Sequence, residues 1–398
     1  SRVVNLIKNA IDRHQPDLVI FTGDNQTGGS TAYKGVIDKF LKPLLDSDTK
    51  FAVTFGNHDH EAGVSRDTQY NYYKTKGGDL FIDHDVPVLS GSGSGVIPIY
   101  PYGQNQGTPA FQLYVMDSGS YPNNNSSNGY DSPYTDQIDY YIQRSLQYPN
   151  VPSLWYMHII VPEVYTKTMN QVSALTPNAI KGNGTPFSSY YWALDQQKID
   201  WSKSRQTISE IYKEAPCPAN WSTYTSSNHR SSSAYGNLTL YDAWVNYGNM
   251  LGTYYGHDHK NSFVTRTDDG IDIGFCKAAT LQSYNDDNPG LRVFELDVEG
   301  TYTSESVTEQ DLAKVRVSFD PNGGQGFMPG QYINKNSSAK LSENIFTKVG
   351  YSFDGWSTSP NGPLAYADKA NISVSGSDVK LYARWKANKT SMIGFDAN

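Results

Sequence analysis

The sequence predicts a layered α/β domain over residues 1–300, followed by a small, mostly β module. Three observations carry this. Apolar runs ended by glycine alternate with helix-spaced segments in residues 1–300. The runs are continuous rather than alternating in hydrophobicity, as in strands covered on both faces. After Gly300 the chain turns polar, then breaks into short strand-like pieces separated by Gly-rich turns.

Taken in order, Val3 to Arg13 has helical spacing through Val3, Val4, Ile7 and Ile11. Asp17-Leu18-Val19-Ile20-Phe21 is a strand ended by Thr22-Gly23. A second helix over Tyr33 to Leu45 leads to the strand Phe51–Phe55, ended by Gly56, and completes a β-α-β rhythm. Gln112 to Met116, Ser153 to Met157 and Leu251 to Tyr255 are further strands, and Arg292 to Val298 closes the domain. The polar stretches 90–95 and 118–132 are surface loops. Residues 301–313, rich in Ser, Thr and Glu, suit a linker. Residues 314–386 hold short strands, an Asn322-Gly323-Gly324 turn and Leu381-Tyr382-Ala383-Arg384-Trp385, about the smallest module that folds alone.

Composition narrows the function. The 398 residues carry 32 Lys+Arg against 40 Asp+Glu, a net charge of -8. That balance argues against nucleic acid or an anionic membrane as partner, since phosphate binding shows as a basic surplus. With 30 tyrosines the chain can bury a sizeable core. No apolar run approaches the ~20 residues of a membrane span. Cys217 and Cys276 could form a disulfide or stay separate thiols. The wealth of Tyr, Asn, Ser and Thr leans toward an exported protein. Phe395-Asp396-Ala397-Asn398 nearly repeats Phe319-Asp320-Pro321-Asn322, so residues 387–398 read as the start of a second module and both ends as cut.

Four polar clusters lie just past strand ends: Gly23-Asp24-Asn25, Gly56-Asn57-His58-Asp59, Met157-His158 and Gly256-His257-Asp258-His259. In open α/β sheets ligands sit beyond the carboxyl ends of strands, so such clusters can converge. Singly, each has a plain structural explanation. An Asp there is a turn residue or helix cap, and a lone His a hydrogen-bonded core side chain. Together they make a candidate metal site. In an extended segment His257 and His259 point to the same side. Oxygen and imidazole donors without thiolate suit Mn, Fe or Zn, and a carboxylate can bridge two ions. Two such ions clamp a phosphoryl group for in-line displacement, and His58 beside Asp59 offers an acid for the departing oxygen.

These four motifs occur in the order found in the calcineurin-like metallophosphoesterases, which the chain resembles over nearly all of residues 1–300. Gln15-Pro16-Asp17-Leu18-Val19, Phe21-Thr22-Gly23-Asp24-Asn25, Met116-Asp117-Ser118-Gly119 and Met157-His158-Ile159 make it most similar to the purple-acid-phosphatase-related branch. The resemblance implies a β-sandwich flanked by helices. It implies Asp24 as the bridging carboxylate, Asn57, His158 and His257 on a second divalent ion, and His259 on the first. It implies His58, oriented by Asp59, as the residue that contacts phosphate and assists the leaving group. Val317–Gly324, Gly350–Trp356 and Leu381–Trp385 resemble the Listeria–Bacteroides repeat of bacterial surface proteins. That likeness implies a β-grasp-like module with its tryptophans as core and turn fillers, and a cell-surface or extracellular, cell-wall-associated protein.

Two departures stand out. The family's Asp-x-His motif lies on a strand upstream of Gly23-Asp24, and no such strand is written here. Asp12-Arg13-His14 has the letters but ends a helix too close to Asp24, and is rejected. The chain as written therefore completes the second metal site and leaves the first short of ligands. Secondly, Thr27 stands where purple acid phosphatases carry their colour-giving tyrosine, which predicts an uncoloured centre. The expected activity is hydrolysis of phosphate monoesters through a dinuclear centre and a metal-bridging hydroxide. A phosphodiesterase of the same fold and a catalytically inactive surface scaffold are the alternatives.

Overall fold

The computed structural model describes residues 2–26, 32–122, 126, 129–174, 176–205, 207–224, 234–280 and 288–388. The expectations for Thr27 and for most of a second repeat, residues 389–398, lie outside these residues. The first part of the chain runs α1 (Arg2–His14), β1 (Leu18–Thr22), α2 (Tyr33–Asp46), β2 (Lys50–Thr54) and α3 (Arg66–Gly77). It continues through β3 (Gly95–Ile99), β4 (Phe111–Val115), α4 (Thr135–Gln147), β5 (Pro152–Met157) and α5 (Glu163–Thr168). A small excursion follows, made of β6 (Met169–Val172), β7 (Ile180–Lys181), β8 (Tyr191–Leu194) and the short helices α6 (Ile208–Ile211) and α7 (Trp221–Tyr224). Then come α8 (Leu240–Asn246), β9 (Asn249–Tyr255), β10 (Val264–Arg266), β11 (Asp272–Phe275), β12 (Gly290–Leu296), β13 (Tyr302–Thr308) and α9 (Glu309–Leu312).

Two sheets are stacked between helices. The larger has the order β10-β11-β9-β5-β4-β3, with β11, β9, β5 and β4 parallel and an antiparallel strand at each edge. The smaller is the parallel pair β1–β2. Alternate residues of each strand face opposite ways, and the cores divide accordingly. Leu113, Leu154 and Tyr254 join Ala52 between the sheets. Tyr114, Trp155 and Tyr255 face α4 and α8 on the far side. Phe51 and Val53 of β2 face α1, α2 and α3. The result is helix, sheet, sheet, helix: the α/β sandwich expected from uninterrupted apolar strands.

Residues 301–313 are a correction. They form β13, which pairs antiparallel with β12, and the helix α9, rather than a linker. Ser304 and Glu305 of β13 are buried because arginines outside the strand reach them. Arg316 donates to Glu305 Oε1 at 2.6 Å and Arg292 to Ser304 Oγ at 3.1 Å. Phe294 and Tyr302 of the hairpin pack into the inter-sheet core. Cys217 and Cys276 are free thiols.

The C-terminal module contains β14 (Val315–Asp320), β15 (Gln331–Ile333), β16 (Ser337–Lys340), β17 (Tyr351–Ser357), β18 (Asn371–Val374) and β19 (Val379–Ala387). The sheet order is β15-β14-β19-β17, with the central pair β14–β19 parallel. The strands β16 and β18, rather than a helix, cover it. Trp356 sits in the core, and Trp385 donates to Pro321 O at 2.9 Å across the Asn322 turn, as expected of fillers. Arg13 of α1 ties the module to the sandwich through Asp311 O at 3.0 Å, Lys314 O at 2.8 Å and Asp378 at 3.2 Å.

Candidate metal centre

Parallel strands bring their carboxyl ends to one rim, and β1, β2, β5 and β9 all end there. Asp24, just beyond β1, holds a left-handed φ of 51° after Gly23 at 95°. This bend turns its carboxylate back over the strand ends, where Oδ1 accepts from His58 N at 2.8 Å. Gly56 follows β2 under close constraint. A Cβ there would stand 2.6 Å from Asp24 N and 2.7 Å from His158 Cδ2, so only glycine lets the two sheets approach. Asn57 and His158 are fully buried and His257 nearly so.

Four donor atoms meet at His158 Nε2. Asp24 Oδ2 lies 3.0 Å away, Asn57 Oδ1 3.2 Å and His257 Nδ1 3.1 Å. Asp24, His158 and His257 are grouped closely enough for one ion. His158 Nδ1 donates to Thr22 O at 2.9 Å, which fixes the tautomer and leaves Nε2 as a lone pair facing a carboxylate and an amide oxygen. Acceptors aimed at one another repel unless a positive charge stands between them. Atoms bound to one ion at 2.0–2.2 Å are about 3 Å apart, the spacing seen here. The donor set therefore fits a divalent cation.

Electrostatics point the same way. Burial opposes ionisation of Asp24, yet His158 and His257 outweigh it and hold the carboxyl below its usual range. Burial opposes a charge on His158, yet Asp24 outweighs it and lifts the imidazole above its ordinary value, so the cluster draws positive charge. Burial, then His158, keeps His257 well below that value, as a neutral ligand requires. His259 is drawn down to about 4, chiefly by burial, and feels Asp24, His158 and His58. It stands beside the group without completing it. Asp12 and His14, at the end of α1, are not part of the group, and Arg13 between them faces α9 and β14.

Residues 1–261 match the calcineurin-like phosphoesterase family. The chain belongs to that family. Residues 316–384 match the Listeria–Bacteroides repeat domain. "Probable inactive purple acid phosphatase 14" of Arabidopsis thaliana is 27% identical over an alignment of 184 positions that covers 40% of this chain and 45% of the relative. "Probable inactive purple acid phosphatase 29" of the same plant is 28% identical over 177 residues, 39% of this chain and 45% of the relative. The chain thus spans less than half the length of these curated relatives. A dimetal phosphatase from Danio rerio shares 11% identity at a TM-score of 0.42, covering 77% of this chain and 88% of that one. Members of the phosphoesterase family use divalent metal ions.

One expected contact is absent and another replaces it. Asp59 does not orient His58. It is buried, with Oδ2 accepting from Gly56 N at 2.7 Å and Oδ1 from Gln26 N at 3.3 Å. Burial and the Asp24 charge push its carboxyl up to about 7. His58 Nδ1 instead donates to Glu61 Oε1 at 2.7 Å. The tight turn Asp59–Ala62 is the cause, because residues three apart eclipse on such a turn while neighbours diverge. The spacing His58-x-x-Glu61 was the available signal. Arg66 was also missed. It donates to both Asp117 oxygens at 2.8 Å and to Gly56 O at 3.0 Å, clamping the end of β4 to that of β2.

Proposed function

We propose that this chain is a metal-dependent phosphoesterase that hydrolyses phosphate monoesters at a bacterial cell surface or outside the cell. The observation that carries the reading is the set of acceptors converging on His158 Nε2, a donor set that suits a divalent ion. Asp24, Asn57, His158 and His257 would hold one ion, and Asp24 with His259 would contribute to a second; Mn, Fe(II) or Zn suits these donors. When bound, the ions supply charge for phosphate oxygens and acidify water. The chain's own residues do the rest. His58, partly exposed at the rim, has Nδ1 engaged by Glu61, which leaves Nε2 to hand a proton to the departing alkoxide. Asp59 holds the Gly56 turn under Asn57 and takes no proton from substrate. The repeat at 316–384 supports cell-wall association, since such repeats are typical of bacterial surface proteins.

The test is hydrolysis of p-nitrophenyl phosphate against its bis-ester by metal-stripped protein, with and without Mn, Fe(II) or Zn. Metal-dependent monoester turnover supports the proposal, and bis-ester preference would make the chain a phosphodiesterase. His58→Ala should lower turnover at unchanged metal content. A surface scaffold that keeps the fold without activity is the second reading, favoured by the names of the relatives. Metal uptake with no hydrolysis of either ester would establish it.

A further inference from the structure

Asn57 is fully buried, and an amide has two ends to satisfy. Its Oδ1 faces the metal cluster, 3.2 Å from His158 Nε2. Its Nδ2 faces the other way and donates to the Tyr121 hydroxyl at 3.0 Å. The main chain of Asn57 is gripped as well: its carbonyl oxygen accepts from Ser120 Oγ at 3.1 Å and from His60 Nδ1 at 2.5 Å. Two adjacent residues thus clasp both the backbone and the side chain of one ligand.

The clasp follows from the strand-end motif Met116-Asp117-Ser118-Gly119, which the metal site itself does not use. Asp117 anchors Arg66 and accepts from Gly119 N at 2.9 Å. Gly119 has φ 81°, and a Cβ there would lie 2.6 Å from Asp131 Oδ2. Only glycine makes this bend, and the bend delivers Ser120 and Tyr121 over Asn57. The Tyr121 ring stacks on Tyr130 at 5.6 Å, and Tyr130 meets the edge of His257 at 4.3 Å. The hydroxyl is held by packing as well as by the hydrogen bond.

We infer that Tyr121 is a positioning residue for metal binding: its hydroxyl gives the outward NH2 of Asn57 a partner, so the amide oxygen can face the ion. Without that hydroxyl the buried NH2 finds an acceptor only by rotating inward, where it donates to His158 Nε2 or the Asp24 carboxylate. It then occupies the cation's place. An unmet buried donor and a competing rotamer both weaken the same equilibrium. The inference rests on the metal-dependent reading of this site and deepens it.

The test is a Mn2+ titration, followed by calorimetry or by the loss of the free-ion paramagnetic signal, on wild type, Tyr121→Phe, Asn57→Asp and the double variant. Tyr121→Phe keeps the ring and its stacking. It should raise the dissociation constant about tenfold, the value of one hydrogen bond to a buried amide. Asn57→Asp has no NH2 to place, so adding Tyr121→Phe to it should leave affinity unchanged or tighter. A merely structural role would weaken binding in both backgrounds, and that result overturns the inference. So does unchanged affinity of Tyr121→Phe in the wild-type background. Wild type that takes up no Mn2+ refutes the metal-dependent reading itself, a result distinct from either.

Discussion

Glu163 opens α5 inside the helix-side core, and its Oε2 has no hydrogen-bond partner. Burial lifts its carboxyl from an ordinary 4.5 to about 8; contact with Tyr224 and the charge of Lys167 offset part of the rise, and Asp242 adds to it. Tyr241 and Tyr255 also face it, each with its own phenol pushed upward. Between pH 4.5 and 8 the folded chain keeps this proton while the unfolded chain has released it. Stability from this group is therefore complete below pH 4.5 and is lost as pH rises to about 8. The slope is about 1.4 kcal/mol per pH unit, up to roughly 5 kcal/mol across the interval. For a chain of this size that is about 2 °C in Tm per unit. Thermal unfolding of wild type and Glu163→Gln, measured from about pH 5 to pH 8, isolates the term because every other group is shared. The Gln variant should gain on wild type steadily as pH rises. Parallel curves would mean that the carboxyl ionises freely, and the reasoning fails.

Gly56→Ala places a methyl group against Asp24 N and His158 Cδ2, so metal stoichiometry should fall sharply while far-UV circular dichroism stays native. Full occupancy would contradict the close approach described. Glu61→Gln weakens the hold on His58 Nδ1, and turnover of a monoester should drop about tenfold with metal content unchanged. Equal turnover would remove Glu61 from the site. Arg292 donates to Phe275 O at 3.0 Å, Lys203 O at 2.9 Å, Ser304 Oγ at 3.1 Å and Ser262 O at 2.6 Å. Arg292→Ala should cost about 3–5 kcal/mol in urea unfolding, because these acceptors stay buried; a loss under about 1 kcal/mol would show that water replaces the guanidinium.

The parts of this fold legible in sequence are those where one physical cause dominates. β1, β2, β4, β5 and β9 are apolar on both faces, so continuous runs locate them within a residue or two. The ends of β1, β2, β5 and β9 carry Asp24, Asn57, His158 and His257; parallel pairing aligns the ends within each sheet, and the close stacking of the two sheets at Gly56 brings the two pairs together. What stayed hidden depends on distant partners. β13 looks like a linker because its Ser304 and Glu305 are polar, and their burial rests on Arg292 and Arg316. β10 and β11 are three and four residues long, too short for a pattern to emerge. Adjacency in sequence points to Asp59 as the partner of His58, whereas the turn geometry hands that place to Glu61. Tyr121 has no sequence signature toward Asn57, because the contact exists only once Gly119 bends.

The hairpin of β12 and β13 has a mechanical consequence. β13 leads through α9 into β14, and Arg13 braces that junction from α1. Tension applied through the C-terminal repeat enters β13 along its length, as shear across the ladder with β12, instead of stretching slack chain. The rim that carries Asp24, Asn57, His158 and His257 is thereby braced to the repeat, so a load on one is passed to the other through paired backbone.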